Sequence, residues 1–188
     1  LITDLNLKIN KQKYLNFAVS LAIFDVLYTK EIKLLTIKWP NDIMSANKKI
    51  CGILIENTTR NYNIQSSIIG IGLNVNQVDF PAFLKNASSL KLLTNKDYNI
   101  DNLLEELIHQ LKKRITLLLN KEYDKLENDY LNVLYKKNSP TMFIDSKANL
   151  FMGKIIGISA SGNLQIEFED KTIKEFGIKE ISLALDRF

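Results

Sequence analysis

Two short stretches of this chain carry side chains whose types and spacing suit work on anions. The first is Lys38-Trp39-Pro40-Asn41-Asp42, followed shortly by Lys49-Ile50-Cys51-Gly52-Ile53-Leu54. Pro40 lacks a backbone donor and restricts the residue before it to extended geometry, so a strand should end there. Asn41 and Asp42 then fall in a turn at a strand mouth and offer an amide and a carboxylate, with Lys49 returning on the next strand. Alone, these residues also fit an ordinary Asx turn and a solvated hairpin end. The second stretch is Gly70-Ile71-Gly72-Leu73-Asn74. Strand alternation puts Gly70, Gly72 and Asn74 on one face, with Ile69, Ile71 and Leu73 on the other. Paired glycines leave a trough without side chains, which fits close approach by a ligand or by another backbone. Gly52 and Leu54 share a face of the preceding strand and are placed to floor the same trough. Lys49 has the opposite parity, so it reaches the trough only through a bulge or its flexible stem.

These residues need a scaffold, and the pattern along the chain supplies one. Tyr14, Phe17, Ala18, Leu21 and Ala22, then Asp25 and Val26, recur at helical spacing and predict an amphipathic helix from Tyr14 to Tyr28. Leu34 to Lys38 reads as a strand, and Ile43-Met44 with Lys49 to Glu56 as a hairpin about Ser45-Ala46-Asn47-Lys48. Tyr62 to Asn76 is a further β-rich run that pairs most simply with Lys49 to Glu56. After a loop with Pro81, a long helix is expected over Asn102 to Leu119, with Asn102 and Glu105 spaced as a capping box. A second helix is expected over Glu122 to Tyr135. Beyond Asn138-Ser139-Pro140 the pattern turns to short strands: Met142 to Ile144, Lys154 to Ile158, Leu164 to Phe168 and Thr172 to Phe176. The order argues an α+β fold, a mixed or antiparallel sheet with helices over residues 1–138, followed by a small all-β, SH3-like barrel over residues 139–188.

Composition narrows the chemistry. Cys51 is the single cysteine and His109 the single histidine, too few for a Cys/His zinc site or a disulfide framework. Cys51 reads as a small core residue and His109 as a packing or surface residue of a helix. Net charge is +4, but Lys112-Lys113-Arg114 and Lys136-Lys137 read as solvated helix faces. Arginine is confined to Arg60, Arg114 and Arg187, which argues against a nucleic-acid role. No apolar run approaches the ~20 residues of a membrane span. A reducing, cytoplasmic setting is the expectation, with a homodimer left open.

At these motifs the sequence resembles the biotin protein ligases. Lys-Trp-Pro-Asn-Asp stands intact at 38–42, Lys-x-x-Gly-Ile-Leu at 49–54 with Glu56 following, and Gly-x-Gly-x-Asn-x-Asn at Gly70, Gly72, Asn74 and Asn76. Ala87-Ser88-Ser89-Leu90 resembles the segment before the family's long helix. Gly153 to Leu183, ending Glu180-Ile181-Ser182-Leu183, resembles its C-terminal SH3-like domain. The resemblance implies a class II synthetase-like ligase domain that joins biotin and ATP into biotinyl-AMP. Biotin would then pass to a lysine of a biotin carboxyl carrier domain in a carboxylase. It implies Lys49 and Asp42 as catalytic, Asn41, Asp42 and Asn74 as ATP- and adenylate-binding, and Lys49, Gly52, Leu54 and Gly70 as biotin-binding. Mg²⁺ would arrive with ATP, with Asp42 as its protein contact. The family's Gly/Arg-rich loop and the Ser/Thr contacts to the ureido group have no counterpart here. The chain is therefore expected to align from just after them and to bind biotin weakly by itself. The family often has an arginine where this chain has Ala184, with Arg187 nearby. A lipoate-type ligase and a non-catalytic, carrier-binding fragment are the competing readings.

Overall fold

Backbone pairing in the first half of the chain builds one antiparallel sheet, and a buried helix packs against two of its strands. The computed structural model describes residues 1–184, so Arg187 lies outside the described residues. Strands β1 (Leu7–Lys8), β2 (Leu35–Lys38), β3 (Asp42–Ser45), β4 (Lys48–Arg60) and β5 (Asn63–Leu73) lie in the order β1-β5-β4-β3-β2. Every pairing is antiparallel. The β3–β4 turn is the two residues Ala46 and Asn47, with Ala46 at φ 50°. The β4–β5 turn is Asn61 and Tyr62, both at positive φ. Such two-residue turns match the right-handed twist of their strands. Tyr62 is therefore in the turn, and β4 runs past the Glu56 expected as its end.

Helices α1 (Gln12–Tyr28), α2 (Leu90–Thr94), α3 (Ile100–Leu119) and α4 (Tyr123–Asn132) complete this part. The expectation of an amphipathic α1 is corrected. Tyr14, Leu15, Phe17 and the whole run from Ala18 to Ile23 are buried. The cause is a contact on every side: β2 and β3 pack against α1, and so do α3 and α4. Phe17 stacks on Tyr130 at 4.0 Å between ring centroids, and Tyr14 on Tyr123 at 4.5 Å.

Arg114 is not part of a solvated face. It donates two parallel hydrogen bonds to Asp25 (2.7 and 2.9 Å) and a third to Asp129, tying α3 to α1 and α4. This is the planar, bidentate geometry that suits arginine to half-buried carboxylates. Helix α3 starts two positions earlier than expected. Its cap is Asn99, whose Oδ1 accepts from Asn102 N, so the Asn102 capping box is not made. Helix α4 ends at Asn132, and Lys136 and Lys137 follow it outside any helix. Single-sequence periodicity missed α2, because five residues are too few to show a helical repeat.

Compact packing divides the chain into Leu1–Val133 and a second unit that begins at Leu134. The second unit contains β6 (Pro140–Asp145), β7 (Leu150–Ile158), β8 (Leu164–Glu167), β9 (Ile173–Phe176) and β10 (Ile181–Leu183). They form an antiparallel sheet in the order β10-β6-β7-β8-β9. No helix lies among them, as an SH3-like module requires. Phe151 stacks on Phe143, Phe168 and Phe176 at 5.0–5.7 Å. Gly153 lies where a Cβ would sit 2.5 Å from Ile166 Cγ2, so β7 and β8 close together only over a missing side chain. Among the described residues no helix is long and apolar enough to cross a membrane.

Candidate functional site

The open face of the sheet carries the glycines. Register pairs Asp42 with Gly52, Gly52 with Gly72, and Leu54 with Gly70, so these residues form two adjacent rows across β3, β4 and β5. A Cβ at Gly72 would meet only the Gly52 carbonyl at 3.7 Å, and one at Gly70 only Leu54, at 3.7 and 3.8 Å. The trough inferred from alternation is thus an open floor of backbone. Leu54 borders it with 61% of its surface exposed. The opposite face of these strands is core: Ile43, Ile50, Cys51, Ile53 and Ile64 are buried.

A β-bulge brings Lys49 to this floor. On β4, Cys51 pairs with Ile43 and Lys49 with Met44, which leaves Ile50 as the extra residue. Ile50 and Cys51 are buried in succession, the burial signature of a parity slip. The slip moves Lys49 onto the same face as Gly52. Lys49 Nζ lies 2.6 Å from Asp42 Oδ1. The lysine stem crosses directly over Gly52, where an added Cβ would come within 3.2 Å of both Cε and Nζ. Asp42 Oδ1 is buried and receives no hydrogen bond of regular geometry, so the ammonium beside it is its charge partner. With the Lys49 side chain 48% exposed, the pair is a weak stabiliser, worth under about 1 kcal/mol.

Of Asn41 and Asp42, only Asp42 is placed differently from the sequence expectation. Asn41 is in the turn, but Asp42 opens β3. The Asn41 amide nitrogen donates to Ile53 O at 2.8 Å, and Ile53 N donates to Asn41 O at 2.9 Å. Asn41 therefore pins the turn to β4. The turn is held from below by Asn16, whose Nδ2 donates to Pro40 O at 2.7 Å. A polar Asn16 inside the apolar run of α1 was the visible signal for this contact, and sequence reasoning passed over it. Asn74 follows β5. Its Nδ2 donates to Ser88 O at 2.9 Å, its N to Ile50 O at 2.9 Å, and its carbonyl accepts from Leu90 N at 3.0 Å. Asn76 makes a reciprocal pair with the backbone of Tyr98.

Cys51 lies on the buried side of the same strand. Burial pushes its thiol up to about 12, with Asp42 adding to the shift and Lys49 opposing it. A thiol so raised is no nucleophile near neutral pH. His109 is exposed on α3. Among the described residues no group of three or more His, Cys, Asp or Glu is placed to hold a metal.

This is an antiparallel sheet with a side-chain-free floor and one ammonium–carboxylate pair at its edge. Residues 2–74 match the Biotin/lipoate A/B protein ligase family. The chain is 31% identical over 155 residues to the bifunctional ligase/repressor BirA of Bacillus spizizenii, which covers 79% of this chain and 44% of that protein. It is 36% identical over 63 residues to the biotin–[acetyl-CoA-carboxylase] ligase of Paracoccus denitrificans, covering 32% of this chain and 26% of the relative. In structure it is similar to the biotin protein ligase from Aquifex aeolicus in complex with biotin and ATP. That likeness has a TM-score of 0.73 at 26% identity and covers 91% of this chain and 71% of the other. The chain belongs to the biotin protein ligase family. It spans about half the length of the curated relatives it matches, or less.

Proposed function

We propose that this chain contributes the sheet floor and the cationic centre of a biotin protein ligase, which joins biotin to ATP and then to a carrier lysine. The observation that carries the reading is Lys49, turned by the Ile50 bulge over Gly52 and against Asp42 at the head of the glycine floor. In the first step the biotin carboxylate attacks the α-phosphorus of ATP, and the bond to pyrophosphate breaks. Two anions must meet, so a positioned cation stabilises the charge that builds between them. Lys49 Nζ serves that role, bridging the biotin carboxylate and the α-phosphate. Gly52, Gly70 and Leu54 line the slot for the flat fused ring and its apolar tail.

In the second step the carrier amine attacks the acyl carbonyl and AMP leaves. Asn74 keeps Oδ1 and one of its two amide hydrogens for adenine, since Ser88 O takes only the other. Asn41 orients the ATP phosphates through its remaining amide hydrogen and Oδ1. Asp42 Oδ1 is already paired with Lys49 Nζ at 2.6 Å. A Mg²⁺ ion delivered on the nucleotide, which binds through one or two carboxylates and the phosphates, would meet Asp42 through its other oxygen or in place of Lys49. Bound there, the ion would neutralise phosphate charge.

The test is biotin-dependent exchange of pyrophosphate into ATP, with lipoate as the competing substrate. Lys49→Ala should lower the exchange by about 10²–10³ while the melting temperature stays close to that of the parent. Exchange that prefers lipoate, or that survives Lys49→Ala, would refute the assignment. Transfer to an isolated carrier domain tests the second step separately, and an absence of transfer favours the non-catalytic, carrier-binding reading.

A further inference from the structure

The bulge that turns Lys49 over the floor also leaves its backbone poorly held by β3, because the ladder is interrupted at that point. The hold comes from the other side. Lys49 N donates to Asn86 O at 2.6 Å, and Ser88 N donates to Lys49 O at 2.9 Å. These bonds make a parallel bridge between Lys49 and Ala87. Both backbone polar groups of Lys49 are therefore committed to one short segment outside the named strands.

That segment is fixed at its downstream end. Ser88 O accepts the Asn74 amide, and the next residue, Ser89, is completely buried. Ser89 Oγ donates to Gln77 O at 2.5 Å and accepts from Leu92 N at 3.2 Å, so one hydroxyl caps α2 and also closes the base of the 78–86 loop. The loop adds little apolar packing, since Val78, Phe83 and Leu84 are exposed. Besides Ser89, the segment is held by the local bond from Ala87 N to Leu84 O and by Leu90 N and Lys91 N donating to Asn74 O and Val75 O. We infer that Ser89 is a positioning residue for Lys49, acting through the Asn86–Ser88 bridge. The inference rests on the acyl-adenylation reading of the site.

Ser89→Ala removes the tie to Gln77 O and leaves Leu92 N without its cap. Ser89→Thr keeps an oxygen in place, and Ser89→Cys keeps a weaker donor and acceptor. The first measurement is amide hydrogen exchange at Lys49 and Ser88, with Ile53, which is held by Asn41, as the internal control. In Ser89→Ala the Lys49 and Ser88 amides should exchange about tenfold faster or more while Ile53 is unchanged. Ser89→Thr should restore them, and Ser89→Cys should fall between, which keeps the test open if the alanine variant does not fold.

The second measurement is adenylate formation in single turnover. Ser89→Ala should lower the rate about tenfold at saturating ATP, where a shift of the Asn74 amide held by Ser88 O does not limit binding. In a Lys49→Ala background it should cost nothing further, because the residue it positions is gone. Unchanged Lys49 exchange in a folded Ser89→Ala chain overturns the inference, and so does an additive loss in the double variant. A parent chain that forms no adenylate overturns the functional reading alone, and the exchange measurement still decides whether Ser89 positions Lys49.

Discussion

Replacing Gly52 by alanine separates fold from chemistry more sharply than replacing Lys49 does. The new methyl group would sit 3.2 Å from Lys49 Cε and Nζ and 3.9 Å from Asp42 Oδ1. No backbone atom comes within 4 Å among its nearest neighbours, and what it meets first is the far end of a flexible side chain. Lysine must move aside by a few tenths of an ångström or leave Asp42 altogether. The stability terms are small and opposed. Weakening a pair whose lysine is half-exposed costs under about 1 kcal/mol. Restricting the unfolded chain by Gly→Ala returns ~0.4–1 kcal/mol. The net change is close to zero, so the melting temperature should stay within about 2–4 °C of the parent. Activity should respond more strongly, since a 1 Å misplacement of a reacting group can cost about 10²-fold, so a few tenths of an ångström should cost several-fold and a Lys49 that leaves Asp42 more. The assay is thermal unfolding beside biotin-dependent ATP–pyrophosphate exchange on the same preparation. Exchange within twofold of the parent would show that the position of Lys49 over Gly52 does not matter. A large loss of melting temperature would show that the glycine is kept for packing.

Three further outcomes follow from the same geometry. Gly70→Val places its Cβ in ordinary contact with Leu54 and suits a strand better than glycine. The fold should hold while calorimetry finds biotin binding lost, and unchanged affinity would remove Gly70 from the slot. Cys51, its thiol pushed up to about 12 by burial, should resist alkylation at pH 8 and label only in denaturant. Stoichiometric labelling of the native chain would contradict its burial. Gly153→Ala forces a methyl group to 2.5 Å from Ile166 Cγ2 and 3.2 Å from Glu167 O. It should destabilise the second unit by about 1–3 kcal/mol, read by hydrogen exchange in β7 and β8, without changing exchange in β4 and β5. Equal protection in parent and variant would show that the strands part at no cost.

The sequence by itself determined the elements that local rules control. Strand alternation placed Gly70 and Gly72 on one face, Pro40 ended β2, and the Tyr62–Asn76 run pairs most simply with Lys49 to Glu56, as its Asn63–Leu73 part does. It also determined the family, because the Lys-Trp-Pro-Asn-Asp run and its two companion motifs are side-chain identities that survive in the linear text. What it misjudged were features set by neighbours distant in the chain. The near-complete burial of α1 comes from a sheet on one side and two helices on the other, which its own periodicity cannot register. Arg114 reads as one of three surface cations until Asp25 and Asp129 arrive from other helices.

The site shows the same division. Parity alone put Lys49 on the opposite face, able to reach the trough only through a bulge or its flexible stem, and the fold uses the bulge. It is a single extra residue at Ile50, and a bulge is a property of two strands in register rather than of either one. The resemblance implies Asn74 as an adenylate-binding residue, and the fold commits one hydrogen of its amide to Ser88 O. The Lys49–Ala87 bridge joins segments separated by a long hairpin and a loop, so only the folded chain brings them together. Residue types set the available chemistry, and the tertiary structure decided which face each reactive group occupies, because backbone pairing, not side-chain identity, sets strand register and bulges.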